Sequence, residues 1–224
     1  MGEAIGQMLP FAFGVALSPM PIVAIVLMLI TPKATSNGLS FLAGWVVGVA
    51  AAGAIVLAVV GPSATSEGQP EDWTFWLKLV LGVLLFVVGI REWRGRPGAG
   101  DEVELPKWMS ALDRFTPAKA AGSGVLLSAL NPKNLIFIVG GATVVAQAAI
   151  SGGGQAVVWA LFTLIASIGV LVPVAIYFAR GERASALLDE IKTWMARNNA
   201  AVMAVLILVI GVKLIGDGIA GLSA

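Results

Sequence analysis

The chain contains no cysteine and no histidine among its 224 residues. Without Cys there are no disulfides, thiolate metal ligands, iron–sulfur clusters or thiol electron relays. Without His, the commonest general base and metal ligand is missing. Charge is scarce too: 12% of residues are Asp, Glu, Lys or Arg, and 14 basic against 13 acidic residues leave a net charge of +1. That balance gives no reason to expect a nucleic-acid partner. No base–nucleophile constellation is visible, so an enzyme is the least favoured class, and no catalytic residue, metal or cofactor is expected.

What the chain has in abundance is apolar surface. It is 58% hydrophobic with a mean hydropathy of +0.92, which marks an integral membrane protein. A helix needs about 20 apolar residues to cross a bilayer core. Six stretches qualify: Ala4–Ile30, Leu39–Val60, Thr74–Ile90, Ala118–Ile150, Gln155–Ala179 and Ala200–Ala220. Residues 1–224 thus read as a single transmembrane domain. Met1 to Gln7 lacks the basic flank of a secretory signal, and the run to Ile30 is too long for one, so it is read as a retained span.

The connections are unequal in charge. Lys33 lies in the first; Arg91, Arg94, Arg96, Lys107, Arg114 and Lys119 bracket the third; Arg180, Arg183, Lys192 and Arg197 lie in the fifth. The second carries Glu67, Glu71 and Asp72, and the fourth, Ser151 to Gly154, carries none. The positive-inside rule then places the odd connections in the cytoplasm and both termini outside a bacterial inner membrane. Two cytoplasmic segments are amphipathic: Leu105–Phe115, and Ala184–Met195 with Leu187, Leu188, Ile191, Trp194 and Met195 on one face. Either a gating role or simple shielding against the bundle fits them. Trp73, Trp76 and Trp159 suit an outer aromatic belt, and Trp93, Trp108 and Trp194 an inner one.

The sequence also repeats. Leu81–Arg91 lines up with Met203–Lys213, with a Gly-x-basic ending in each, and proline interrupts the first span of each half at Ser18-Pro19-Met20-Pro21 and at Asn131-Pro132. Three spans per half give the halves opposite orientations. The expected fold class is therefore an all-α membrane protein of six transmembrane helices, arranged as two inverted three-helix repeats with proline-broken helices 1 and 4. Repeat one covers about 1–93, a cytoplasmic linker about 94–117, and repeat two about 118–224. Ordinary proline kinks are the alternative for either break alone; their matched positions favour a substrate path, because backbone groups freed inside a membrane must line a cavity or be packed.

The expected translocation path is Ser18, Pro19, Pro21, Ser128, Asn131, Pro132, Lys133 and Asn134. Lys133 stands about ten or more residues from either interface, where a cation costs about 2.5 kcal/mol or more. Such a cost calls for a partner or a function, and broken-helix carbonyls, Asn131, water or an anionic substrate group could each supply the counter-charge. Lys133 could equally cap the carbonyl end of the preceding half-helix. Lys213 and Asp217 read as a local i,i+4 ion pair, and Gly44, Gly48, Gly82 and Gly89 as close helix contacts.

Ser18-Pro-Met-Pro-Ile-Val-Ala24, Asn37 to Trp45 with Gly48, Pro106 to Asp113, Leu130-Asn-Pro-Lys-Asn134 and the tail from Asn199 to Gly221 resemble the GAP family of glycopeptidolipid- and sulfolipid-addressing proteins, within the lysine-exporter (LysE) superfamily. The resemblance covers nearly the whole chain. It implies an inner-membrane protein that moves glycolipids toward the cell envelope. Amino-acid exporters of the superfamily carry Pro-Gly-Pro-Asn in the first span; the corresponding residues here are Pro19-Met-Pro-Ile22, which argues against a small polar substrate.

The leading expectation is a transporter of a lipid or glycolipid, anionic in character. Exporters of small metabolites or amino acids, and a non-transporting accessory of a lipid-export complex, are the alternatives. The expected partners are a lipid or glycolipid substrate and the bilayer. Gly-rich faces permit a homodimer, and the cytoplasmic segments suit lipid-synthesis or export machinery. No span core holds a carboxylate or imidazole for proton coupling, which leaves a desolvated Lys133, downhill movement or a driving partner.

Overall fold

In a computed structural model, residues 1–64, 72–96 and 115–223 are described. The Leu105–Phe115 segment, but for Phe115, and the Pro106–Asp113 motif with Trp108 lie outside them. The described residues form helices and no strand. These are α1 (Gly2–Ala16), α2 (Pro19–Leu29), α3 (Ala34–Ala64), α4 (Asp72–Arg94), α5 (Pro117–Val125) with a π-helical turn over Leu126–Leu130, α6 (Pro132–Gln147), α7 (Gly152–Arg180), a 3₁₀ turn over Gly181–Ala184, and α8 (Ser185–Leu222).

Three helices are long and apolar enough to cross a membrane: α3 over Ala34–Val60, α7 and α8. Two bent pairs bring the number to five: α1 with α2, bent by 48°, and Pro117–Leu130 with α6, bent by 62°. Both bends fall on the predicted proline breaks. The 23-residue helix α4 occupies the third apolar stretch. Ala184–Met195 is not a separate helix. Apart from Ala184 in the 3₁₀ turn, it forms the opening turns of the 38-residue α8, with Leu188 fully buried and Trp194 exposed. No Gly or Pro separates it from the following apolar run, so the helical ladder simply continues.

The chain divides into two compact units: Met1–Ala64 with Glu102–Arg197, and Thr65–Asp101 with Asn198–Ala224. In the first, α1 packs on α6 and α7, and α3 on α5, α6 and α7. Lipid tails are as apolar as leucine, so close packing rather than water exclusion must hold such helices together. Glycine supplies it. A Cβ on Gly44 would stand 2.0 Å from the Ala121 carbonyl oxygen, and one on Gly169 1.9 Å from that of Ala16. These backbones touch. Across α1 and α6, Gly14 receives the Phe137 ring and Gly140 the Phe11 ring, an antiparallel exchange of knob and hole.

Helices α3 and α7 exchange tryptophans. Trp45 Nε1 donates to the Ala166 carbonyl at 3.3 Å, and Trp159 Nε1 to the Ala50 carbonyl at 3.1 Å. Trp159 also stacks on Phe162 with centroids 4.3 Å apart and fills the notch at Gly53. It is buried and does not belong to an outer belt, because its N–H is satisfied inside the unit. Trp76, Trp93 and Trp194 are exposed as belt residues should be. Each indole bond contributes about 1 kcal/mol, so Trp45→Phe and Trp159→Phe should each lower the melting temperature of the purified protein by about 2–4 °C. Equal shifts in a thermal scan would match the reciprocal geometry.

The second unit is built on a heptad seam. As α4 climbs through Phe75, Gly82 and Gly89, its partners on α8 fall through Gly218, Gly211 and Ala204. The two helices are therefore antiparallel, with a small residue on at least one side of the contact at every seventh position. On α8, Lys213 Nζ bonds Asp217 Oδ2 at 2.6 Å, the expected local pair.

Candidate functional site

Pro132 creates the second break. It has no N–H to give the Ser128 carbonyl, and its ring excludes a helical Asn131. Asn131 is accordingly extended, with φ −70° and ψ 117°. The helix stops at Leu130 and restarts at Pro132, a proline at the first position of a new helix. Asn131 caps that restart: its Oδ1 accepts from the Lys133 backbone N–H at 3.1 Å. Asn134 then reaches back, Nδ2 donating to the Leu127 carbonyl at 2.8 Å. Ser128 Oγ donates to the Val125 carbonyl at 3.1 Å and lies where a Cβ on Gly48 would be only 2.0 Å away.

The first break is plainer. Ser18 is extended ahead of Pro19, at φ −62° and ψ 114°, and makes no side-chain cap bond to α2. Its backbone N–H bonds the Val15 carbonyl at 3.2 Å. Helix α2, which opens at the first break, touches the π-helical turn that ends at the second.

The eight predicted path residues separate by environment. Ser18, Pro19, Pro21, Ser128 and Asn134 are buried, Asn131 is half-buried, and Pro132 and Lys133 are exposed, alongside Leu130, Leu135 and Ile136. Lys133 thus stands on the apolar outer side of the break and Asn134 inside it. The Asn131 side chain serves the Lys133 backbone as a cap.

Sequence reasoning missed Asn37. It is fully buried, and its Nδ2 donates to the Phe115 carbonyl at 3.1 Å, tying the first turn of α3 to the entry of α5. A carboxamide opening an apolar span is itself the signal, since such a group must find a partner there. Thr163 and Ser167 are also buried, but each hydroxyl bonds the carbonyl four residues earlier on α7. Among the described residues no group of three or more His, Cys, Asp or Glu could hold a metal ion.

Comparison with known proteins gives one family. The family described as Sap, sulfolipid-1-addressing protein, matches residues 8–220. No curated protein and no solved structure is matched.

Proposed function

We propose, from the premise that this chain belongs to the sulfolipid-1-addressing protein (Sap) family, that it moves an anionic lipid or glycolipid across the inner membrane toward the cell envelope. The observation that carries this reading is the pair of proline breaks, bent by 48° and 62°, whose helices touch where α2 meets the π-helical turn. Each starts a half-helix whose N-terminal N–H groups favour an anion. At the second, Lys133 adds a full positive charge on an exposed apolar face. An anionic head group would settle on Lys133 and the start of α6, with its tails against Leu130, Leu135 and Ile136.

The same reading takes the fold as six spans in two inverted repeats within the LysE superfamily, with α4 as the third span and both termini outside. Internal symmetry supports it. The repeat alignment equates Gly82 with Ala204 and Gly89 with Gly211, and the contacts Gly82–Gly211 and Gly89–Ala204 exchange under it. The tryptophan bonds of α3 and α7 are reciprocal in the same sense, and α3–α5 and α1–α7 are corresponding helix pairs, each closed by a glycine–carbonyl contact at its own level. Helix directions agree as well: within their units α3 runs with α5 and against α7, and α4 against α8. Access would change as the halves rock about the breaks.

Because the chain lacks cysteine, single cysteines report topology without background. Gly2→Cys and Ser223→Cys should react with an impermeant maleimide in intact cells, and Arg94→Cys and Arg180→Cys only after permeabilisation. The opposite pattern would refute the orientation. For transport, surface-extractable and total lipids are compared in a deletion strain with and without the wild-type gene. One lipid should vanish from the surface yet persist in the total pool, and return on complementation. Unchanged surface lipids would reject lipid export.

A further inference from the structure

Head-group capture leaves one group at the second break idle. Asn134 is 0% exposed. Its Nδ2 is used on the Leu127 carbonyl, yet among the described residues no donor reaches its Oδ1. Turning the amide over would only place Oδ1 against that carbonyl. A buried acceptor left without a donor is costly, and the bond to Leu127 holds this amide against the π-helical turn. The Ser128 hydroxyl spends its proton on the Val125 carbonyl and keeps its lone pairs. The π-helical turn ends here with its last carbonyls, and Pro132 offers no N–H to that of Ser128.

All these oxygens are neutral; the Ser128 hydroxyl and the turn's carbonyls stand at the negative end of a half-helix, and Asn134 reaches them from the first turn of α6. Hard cations take oxygen ligands, and divalent ions want carboxylates among them, which this cluster lacks. We propose that Asn134 Oδ1, the Ser128 hydroxyl and the carbonyl end of the π-helical turn form a sodium-ion site. The role of the ion rests on the transport reading above: it would couple movement to an ion gradient in a chain whose span cores hold no carboxylate or imidazole. Binding itself requires no lipid.

The test uses the full-length protein purified in detergent, titrated with NaCl against choline chloride at constant ionic strength. Wild type should show a saturable rise in melting temperature of about 2–4 °C, and Asn134→Ala none. Ser128→Ala leaves the Asn134–Leu127 bond in place, and its midpoint sodium concentration should rise about tenfold. Should Asn134→Ala fail to fold, Ser128→Ala carries the test. Absence of a saturable shift in wild type, an equal shift in Asn134→Ala, or an unchanged midpoint in Ser128→Ala would overturn the site, the first indicating that the oxygen takes only water. Because no lipid is present, such a failure leaves lipid export standing, and failed export leaves sodium binding standing.

Discussion

Replacing Lys133 by alanine is expected to abolish surface delivery of the lipid while leaving the protein inserted and abundant. The cap of α6 uses the Lys133 backbone N–H, which alanine retains, and alanine is the best helix former. Removing a cation from the span also eases insertion, by about 2.5 kcal/mol on biological scales. The charge itself is what is lost, and with it, on the proposed reading, the counter-ion for an anionic head group. The deletion strain carrying Lys133→Ala should therefore match the empty strain in surface lipid and match wild type in protein level by immunoblot. Normal delivery by the variant would remove Lys133 from the mechanism. Pro132→Ala probes the break separately, because it restores an N–H that the Ser128 carbonyl can accept and favours a continuous helix. Transport should fall there too; unchanged transport would reduce the bend to packing.

The second large effect is structural. A Cβ on Gly44 would lie 2.0 Å from the Ala121 carbonyl oxygen, 2.8 Å from its carbon and 2.9 Å from its Cα. None of these is a side chain that can swing aside, so the seam between α3 and α5 must open. Gly44→Val should cost about 3 kcal/mol or more, a fall of about 6–12 °C in melting temperature. Gly122 is the control one residue beyond that contact: a Cβ there meets nothing within 4 Å. Gly122→Ala should hold or slightly raise the melting temperature, by the helix propensity gained. If both variants melt like wild type, α3 and α5 do not pack through their backbones.

Much of the fold is legible in the sequence for a simple reason: proline and charge act locally. The breaks at Pro19 and Pro132 follow from a missing N–H, whatever surrounds them, and the Lys213–Asp217 pair follows from helical spacing alone. Gly44, Gly48, Gly82 and Gly89 can be recognised as contact formers for the same reason. What they contact cannot be read, because a helix that is apolar all round has no period to mark its buried side. Trp159 shows the difficulty. Near a span end it looks like a belt residue, and only the Ala50 carbonyl on another helix makes it a core residue. Asn37 and Asn134 fall under the same heading, since a carboxamide must be satisfied in a membrane but its partner lies 78 residues away in one case and across a break in the other. The junction at Ala184–Met195 misleads because amphipathic and apolar segments can share one unbroken ladder.

The π-helical turn has a consequence for the resting state. Two identical halves of opposite orientation would possess inward-open and outward-open forms of equal energy, since the symmetry that relates the halves also interchanges the forms. Here only the second break carries the five-residue turn over Leu126–Leu130, the sharper bend, and the Asn131, Lys133 and Asn134 side chains; the first has Ser18, Met20 and Pro21 in their place. On the proposed alternating-access reading the degeneracy would be lifted: the empty protein would spend unequal time facing the two sides of the membrane, and cargo or ion would shift that balance only by the difference in its affinity for the two forms.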